Sequence, residues 1–335
     1  MIISKTPLRL SFVGGGSDLP SYYREEGGAV LSTSIDKFVY VTVNQRFEEG
    51  IRLSYSRTEI VGHAREIEHA LVKAGLEKTG ITSGVEITSI ADIPSRGSGM
   101  GSSSSFTVGL LHALYAFRGA YKSKLDLGRE ACEVELDMCG EPIGKQDQYA
   151  AAAGGLNVIE FHPDDSVTLA PIVAPPGTIQ QVEADMVMFY IGGDRSASKI
   201  LEQQARDVGA SLDKKQALRQ MVGLVYTLRD ELAKGHAQSV GEILHENWEL
   251  KRQLTGGISN AMIDEVYRTA MANGATGGKL LGAGGGGFMV FSVPQDRQSD
   301  LRKALGDLRE VPFRFDKNGT SIVFYQPSSH TGHQA

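Results

Sequence analysis

Ile93-Pro94-Ser95-Arg96-Gly97-Ser98-Gly99-Met100-Gly101-Ser102-Ser103-Ser104-Ser105 is the stretch whose reading decides the fold. Val85, Ile87 and Ile90 give the residues before it strand character, and the apolar run Phe106 to Phe117 follows it. Glycines at 97, 99 and 101 allow the backbone to turn its N–H groups inward without Cβ clashes. A helix starting just after them leaves its first N–H groups unpaired and carries a partial positive charge there. Strand, glycine loop and helix start together describe a phosphate cradle, in which the serines cap the helix or reach a bridging Mg²⁺. The loop is not a Walker A motif, because no lysine follows Gly101. It is not a dinucleotide fingerprint either, since it reads G-x-G-x-G. Taken alone, it also fits a flexible Gly/Ser connection before an ordinary helix.

Composition narrows the function. The 335 residues, 41% of them hydrophobic, suffice for two domains with real cores. A net charge of −6 argues against a nucleic-acid surface, so an anion site must be local. Cys132 and Cys139 fall in one predicted helix, about 10 Å apart and too far for a disulfide, which fits a reduced, cytoplasmic protein. Met1 to Val13 lacks a signal peptide's apolar core, and no apolar run approaches membrane-spanning length, so no membrane partner is expected.

Periodicity predicts strands over 2–13, 29–34, 38–44 and 51–55, a helix over 59–79, and a helix capped by Asp126 that ends near Gly140. Strands 156–161 and 166–172 follow. Pro171 to Gly177, with three prolines, marks a border between domains 1–172 and 173–335. Helices dominate 196–272, and the end reads as a hairpin of 312–315 and 321–325 turning at Asn318-Gly319. Strands and helices neither alternate strictly nor segregate, which favours α+β.

Three further segments carry chemistry. In Thr6-Pro7-Leu8-Arg9-Leu10-Ser11-Phe12-Val13-Gly14-Gly15-Gly16-Ser17-Asp18, an arginine in an apolar strand requires an anionic partner, either a ligand or a structural ion pair. In Glu141-Pro142-Ile143-Gly144-Lys145-Gln146-Asp147-Gln148-Tyr149, Asp147 can take a proton from a substrate hydroxyl while Lys145 or Arg9 holds its ionised form. A helix cap is the alternative for Asp147, and a solvated helix face is the alternative for Glu135, a candidate metal ligand in the preceding helix. In Gly282-Ala283-Gly284-Gly285-Gly286-Gly287, the glycines imply a close approach of backbone to a ligand or a neighbouring loop. No cysteine–histidine cluster suggests structural zinc.

Taken in order, Pro7-x-Arg9 with Gly-Gly-Gly-x-Asp18, the 94–103 loop, Gly144-x-x-Asp147-Gln148 and Lys279-x-x-Gly-Ala-Gly-Gly-Gly-Gly resemble the GHMP kinase superfamily. Within it, the first and third segments look most like bacterial D-glycero-D-manno-heptose 7-phosphate kinases, and L-fucose C1 kinases are similar too. The resemblance implies an α+β fold with an N-terminal domain like ribosomal protein S5 and a ferredoxin-like C-terminal domain. It also implies an ATP-dependent sugar kinase that uses Mg²⁺. Asp147 would be the base and Arg9 would orient it and offset phosphoryl charge. Asp18 would bind sugar hydroxyls, with Gly15, Gly16 and Lys145 beside it. Pro94, Arg96, Gly97, Ser98, Gly99, Met100, Gly101, Ser102, Ser103 and Ser104 would hold ATP. Ser103 and Glu135 would hold the metal, with Ser102 close enough in register to compete, and Gly282–Gly287 would pack on the nucleotide loop. A sugar phosphate needs a second cationic pocket, for which Arg195, Ser196, Ser198 and Lys199 are candidates; simple helix capping is their alternative. A non-catalytic ATP/sugar sensor and a decarboxylase on the same fold are the competing classes. A monomer and a homodimer both fit.

Overall fold

The computed structural model of the chain describes residues 1–93, 98–193 and 197–327. The first half holds strands β1 (Ile2–Val13), β2 (Gly28–Gln45), β3 (Ile51–Ser54), β4 (Thr58–Val61), β5 (Val85–Ala91), β6 (Leu156–Phe161) and β7 (Val167–Pro171). Its helices are α1 (Pro20–Glu26), α2 (Ala70–Thr79), α3 (Ser102–Phe117), α4 (Lys124–Cys132) and α5 (Gln146–Ala153). The second half begins with α6 (Thr178–Asp185) and β8 (Met186–Gly192). It continues through α7 (Ala197–Ala210), α8 (Leu212–Ala233), α9 (Ser239–Lys251) and α10 (Ala261–Ala272). It ends with β9 (Gly277–Leu280), β10 (Gly287–Ser292), α11 (Gln298–Ala304), β11 (Arg309–Glu310), β12 (Phe315–Asp316) and β13 (Ser321–Tyr325).

One sheet runs β13-β1-β2-β5-β3-β4, with β6, β7 and β12 attached through β2; the second runs β11-β8-β10-β9, its last strand beside its first. From Thr6 onward β1 is buried at every residue, because it is covered on both faces. Helix α3 lies on it through Ser105 Oγ, which donates to Pro7 O at 2.8 Å, and Ser4 Oγ, which donates to Gly109 O at 2.7 Å. Helices α8 and α9 of the second half also pack on β1. Gly14 there has φ of +87°, and a Cβ on it would stand 2.7 Å from Val225 Cγ2. Leu10, Val225, Leu244 and Phe288 therefore share one apolar core spanning both halves. That continuity holds contributors from the two halves of the chain in register.

Four local expectations are corrected. The two strands over 29–34 and 38–44 are one, β2, whose pairing with β1 shifts register opposite Pro7/Leu8; its first part pairs with β6 and its second with β5. Residues 59–79 are a strand edge, a short 3₁₀ turn at Ala64–Glu66 and only then α2. Ile60 and Val61 suit a strand, and the β3–β4 hairpin claims them. Ser123, not Asp126, caps α4: its Oγ accepts from Asp126 N at 3.1 Å. The terminal strands turn at Asn318-Gly319 through Asp316 Oδ1 but form no hairpin, since β12 pairs with β2 and β13 with β1. The chain end thus returns to the first sheet.

Candidate active site

Strand β1 carries Arg9 into the interior, where only acceptors on all sides make a guanidinium tolerable. Its Nε donates to Asp147 Oδ1 at 2.7 Å and its Nη2 to Asp147 Oδ2 at 2.9 Å, a bidentate pair. Its Nη1 donates to Gly99 O at 2.6 Å, and its backbone N–H to Met100 O at 3.1 Å. One residue therefore links β1, the glycine loop and α5. Asp147 lies in the first turn of α5 and keeps a fifth of its side chain exposed, toward a cavity of about 270 Å³. A bidentate arginine leaves one lone pair on each carboxylate oxygen, so Asp147 can still accept a proton from a ligand hydroxyl.

Asp18 is buried beside this pair. Its carboxylate accepts from Gly16 N at 2.9 Å, Gln146 N at 3.3 Å and Gln146 Nε2 at 3.2 Å. Burial first, and then the charge of Asp147, push its pKa up from the usual 3.8. Gly144 is required here: a Cβ on it would stand 1.9 Å from Asp18 Oδ2. Around Gly15 and Gly16, Ser11 Oγ, Gln146 Oε1 and Gln204 Nε2 are buried with no partner among the described residues. Such a set of donors and acceptors suits a polyhydroxyl ligand.

Over the described residues 98–105, the glycine turn passes into a helix start where the spacing predicts one. Gly99 and Gly101 have φ of +68° and +71°, and Gly101 stands at the N-cap of α3 with no side chain bonded into that position. The first N–H groups of α3 therefore face the cavity side, which Ser102, Ser103 and Ser104 line. A Cβ on Gly99 would meet Leu281 O at 2.3 Å, and one on Gly282 would meet Gly99 Cα at 2.4 Å, so the two glycine loops interlock as expected.

The four serines divide their work. Ser102 Oγ pairs with Ser98 Oγ at 2.7 Å, Ser103 Oγ donates to Glu135 Oε1 at 2.9 Å, and Ser105 anchors α3 to β1. Ser103, not Ser102, thus sits with Glu135. Glu135 lies on a π-helical stretch, Glu133–Met138, which follows α4 directly and is the kind of local irregularity that re-aims a side chain. Burial pushes its pKa up to about 7 against the donors Ser104, Ser103 and Gln148. A buried carboxylate and hydroxyl with no cationic side chain beside them among the described residues, next to a helix N-terminus, are oxygen ligands that fit Mg²⁺.

A stability prediction follows from Glu135. Its folded pKa lies above the usual 4.5, so its favourable contribution is complete below about pH 4.5 and lost as pH rises through about 7. Glu135→Gln is expected to stabilise the ligand-free protein at pH 8, by on the order of 3 kcal/mol, and to change little at pH 4.5. Thermal unfolding at the two pH values measures this. Mg²⁺ added at pH 8 should raise the midpoint of wild type and leave the variant where it is; equal shifts would remove Glu135 from the metal site.

Other expected residues are placed differently. Lys145 Nζ turns away from Asp147 and bonds Asp165 Oδ1 at 3.0 Å and Asp165 O at 3.1 Å, so Arg9 alone of the two candidates pairs with Asp147. Met100 is fully buried and contributes its backbone carbonyl to Arg9, not a side chain to a ligand. Ser198 lines the cavity but faces an acid, 3.4 Å from Glu141 Oε2, and Lys199 is exposed and does not line it. Pro94, Arg96, Gly97, Arg195 and Ser196 lie outside the described residues. Cys132 and Cys139 are free thiols. Gln146, inside the quoted 141–149 segment but given no role there, joins the site, as do two residues with no sequence signal, Gln204 from α7 and Lys251 at the end of α9. Lys251 reads as an ordinary basic residue in a helix's last turn, and only packing turns it inward.

Residues 60–155 match the family model for the GHMP kinases N terminal domain, and residues 228–310 match that for the GHMP kinases C terminal domain. The chain is 30% identical over 321 residues to the D-glycero-alpha-D-manno-heptose 7-phosphate kinase of Campylobacter jejuni, covering 91% of this chain and 93% of that protein. It is 26% identical to the bifunctional fucokinase/GDP-fucose pyrophosphorylase of Arabidopsis thaliana, covering 91% of this chain and 31% of the larger protein. The crystal structure of a D-glycero-D-manno-heptose 1-phosphate kinase from Bacteroides thetaiotaomicron superposes with a TM-score of 0.78 at 27% identity, covering 96% of this chain and 98% of that one.

Proposed function

This chain belongs to the GHMP kinases and is an ATP-dependent sugar kinase, and from that premise we propose that it phosphorylates the anomeric hydroxyl of D-glycero-D-manno-heptose 7-phosphate. The observation that carries the chemistry is the Arg9–Asp147 pair, set against the Gly99–Gly101 loop and the free start of α3.

In this reading the sugar hydroxyl lies against Asp147 and the γ-phosphoryl group against the loop. As the hydroxyl oxygen bonds to phosphorus, its proton passes to Asp147. The bond from phosphorus to the β,γ-bridging oxygen breaks, and ADP leaves with that electron pair. Arg9 fixes the carboxylate's direction, and Asp18 with Ser11, Gln146 and Gln204 reads the sugar's other hydroxyls. Ser103 and Glu135 would hold Mg²⁺, which supplies charge neutralisation at the phosphates when bound.

The heptose 7-phosphate is supported by the Campylobacter relative. An adjoining cavity of about 730 Å³ shares Leu19, Glu141 and Ile143 with the site, but its cations Arg24, Arg129 and Lys145 are paired with Asp165, Asp126 and Glu133 and lend a far phosphate no support. A second reading, C1 phosphorylation of an unphosphorylated sugar such as L-fucose, is favoured by Ser198 facing Glu141 where a far phosphate was expected. The two free thiols support a reduced, cytoplasmic setting, and no described helix is long and apolar enough to cross a membrane. The test is ADP release with Mg²⁺-ATP across heptose 7-phosphate, free heptose, L-fucose, galactose, mannose and mevalonate, with ³¹P NMR of the product. A new anomeric phosphate on heptose 7-phosphate alone supports the first reading. Turnover only on a free sugar supports the second, and ATP binding without any turnover would point to a sensor or to a substrate outside this panel.

A further inference from the structure

Arg9 and Lys251 are the only lysine or arginine side chains that line the site cavity among the described residues. Arg9 is committed to protein acceptors on three of its nitrogens, two against Asp147 and one against Gly99 O. Lys279, buried behind the site, spends its ammonium on Ser11 O at 2.8 Å and Phe12 O at 3.0 Å. Lys251 differs from both. It is 94% buried, its Nζ makes one hydrogen bond, to Gly282 O at 2.7 Å, and two of its N–H donors have no partner among the described residues. Gly282 interlocks with Gly99 of the phosphate loop, and a Cβ on Gly15 would stand 3.9 Å from the ammonium. The ammonium thus lies where the phosphate loop, the base and the Gly14–Gly16 turn converge.

We propose that Lys251 is a catalytic residue, the cation that meets the equatorial oxygens of the phosphoryl group during transfer. The inference rests on the kinase reading above and adds to it the charge partner that Arg9, tied to Asp147 and Gly99, is poorly placed to be. A phosphoryl group in flight spreads negative charge over its oxygens, and fixed donors in a water-poor site stabilise that charge most. A buried ammonium without an acidic ion-pair partner is costly in the resting protein. The phosphate oxygens would supply what it lacks.

The groups facing Lys251 are Asp18, Arg9 and Asp147, with Lys279 behind it. Burial and then Arg9 lower its pKa against the opposing pull of the two carboxylates, to about 8. The ammonium is the working form, so kcat/KM, which reports the free enzyme, should fall as pH rises through about 8.

The experiment compares wild type, Lys251→Met and Lys251→Arg, each first checked for a native circular-dichroism spectrum and melting transition. The Met variant is expected to lose about 10²–10³-fold in kcat. Its affinity for a non-hydrolysable ATP analogue should change little. The Arg variant should recover much of the rate and lose the alkaline limb of the pH profile. A second readout needs no acceptor: calorimetric binding of ADP with magnesium and aluminium fluoride, a mimic of the transferring phosphoryl group. Wild type should bind this mimic far more tightly than ADP alone, and the Met variant should not. A folded Met variant with unchanged kcat, or with only a raised sugar KM, would overturn the proposal, as would unchanged binding of the mimic. If wild type turned over none of these acceptors yet bound the mimic through Lys251, the proposed acceptor would fail while Lys251 would stand as the cation that meets the phosphoryl oxygens.

Discussion

Asp147→Asn is expected to lower kcat by about 10²–10⁴-fold, the usual contribution of one positioned base. Affinity for an ATP analogue should stay within roughly threefold, because the loop and α3 bind nucleotide without this carboxylate. The change has a structural cost that must be separated from the catalytic one. Asparagine can accept only one of the two hydrogen bonds that Arg9 now makes to Asp147, and Arg9 is 96% buried. Stability should therefore fall by about 1–3 kcal/mol, the cost of an imperfectly satisfied buried donor. Chemical denaturation measures that loss, and single-turnover kinetics on protein confirmed as folded measures the chemical step. An Asn variant that turned over at the wild-type rate would remove Asp147 from the reaction.

The Arg9→Met variant should be impaired for two reasons at once. Loss of the guanidinium frees Asp147 to change direction and releases Gly99 O from its 2.6 Å partner. A fall of about 10²–10³-fold in kcat is expected from the misaligned base, together with a raised KM for ATP from the loosened loop. Asp147→Asn should not show that second effect. Asp147 is partly solvated, so the uncompensated charge left behind is less costly than a fully buried one, for which about 3–5 kcal/mol is typical. The pair acts as a unit, so the double variant should be little slower than the slower single. Additive losses in kcat would mean that Arg9 works on the phosphoryl group independently of the base, and would weaken the case for Lys251.

Much of the fold was legible because the requirement was local. Gly99 and Gly101 adopt positive φ where the spacing calls for a cradle, and the apolar run after them is α3. Arg9 in an apolar strand called for an anionic partner, and Asp147 is that partner. The misreadings were equally physical. Ile60 and Val61 fit a helix by period and a strand by propensity, and the pairing of β3 with β4 decided between them. The terminal Asn-Gly turn was recognised, but its flanking strands found partners in β2 and β1 instead of each other.

By itself the sequence determined the kinase class, through its likeness to a family, the glycine turn and helix start at 99–102, and the need of Arg9 for an anionic partner. Those depend on backbone conformations and residue types that a short segment already specifies. Only the tertiary structure decided which serine meets Glu135, that Lys145 belongs to Asp165, and that Gln204 and Lys251 reach the site at all. The reason is separation along the chain. Lys251 bonds Gly282 beside the turn at Gly15, and Arg9 meets Asp147 across 138 positions. A side chain's direction at such distances is set by the shared core that packs α8 and α9 onto β1, and no local pattern records it.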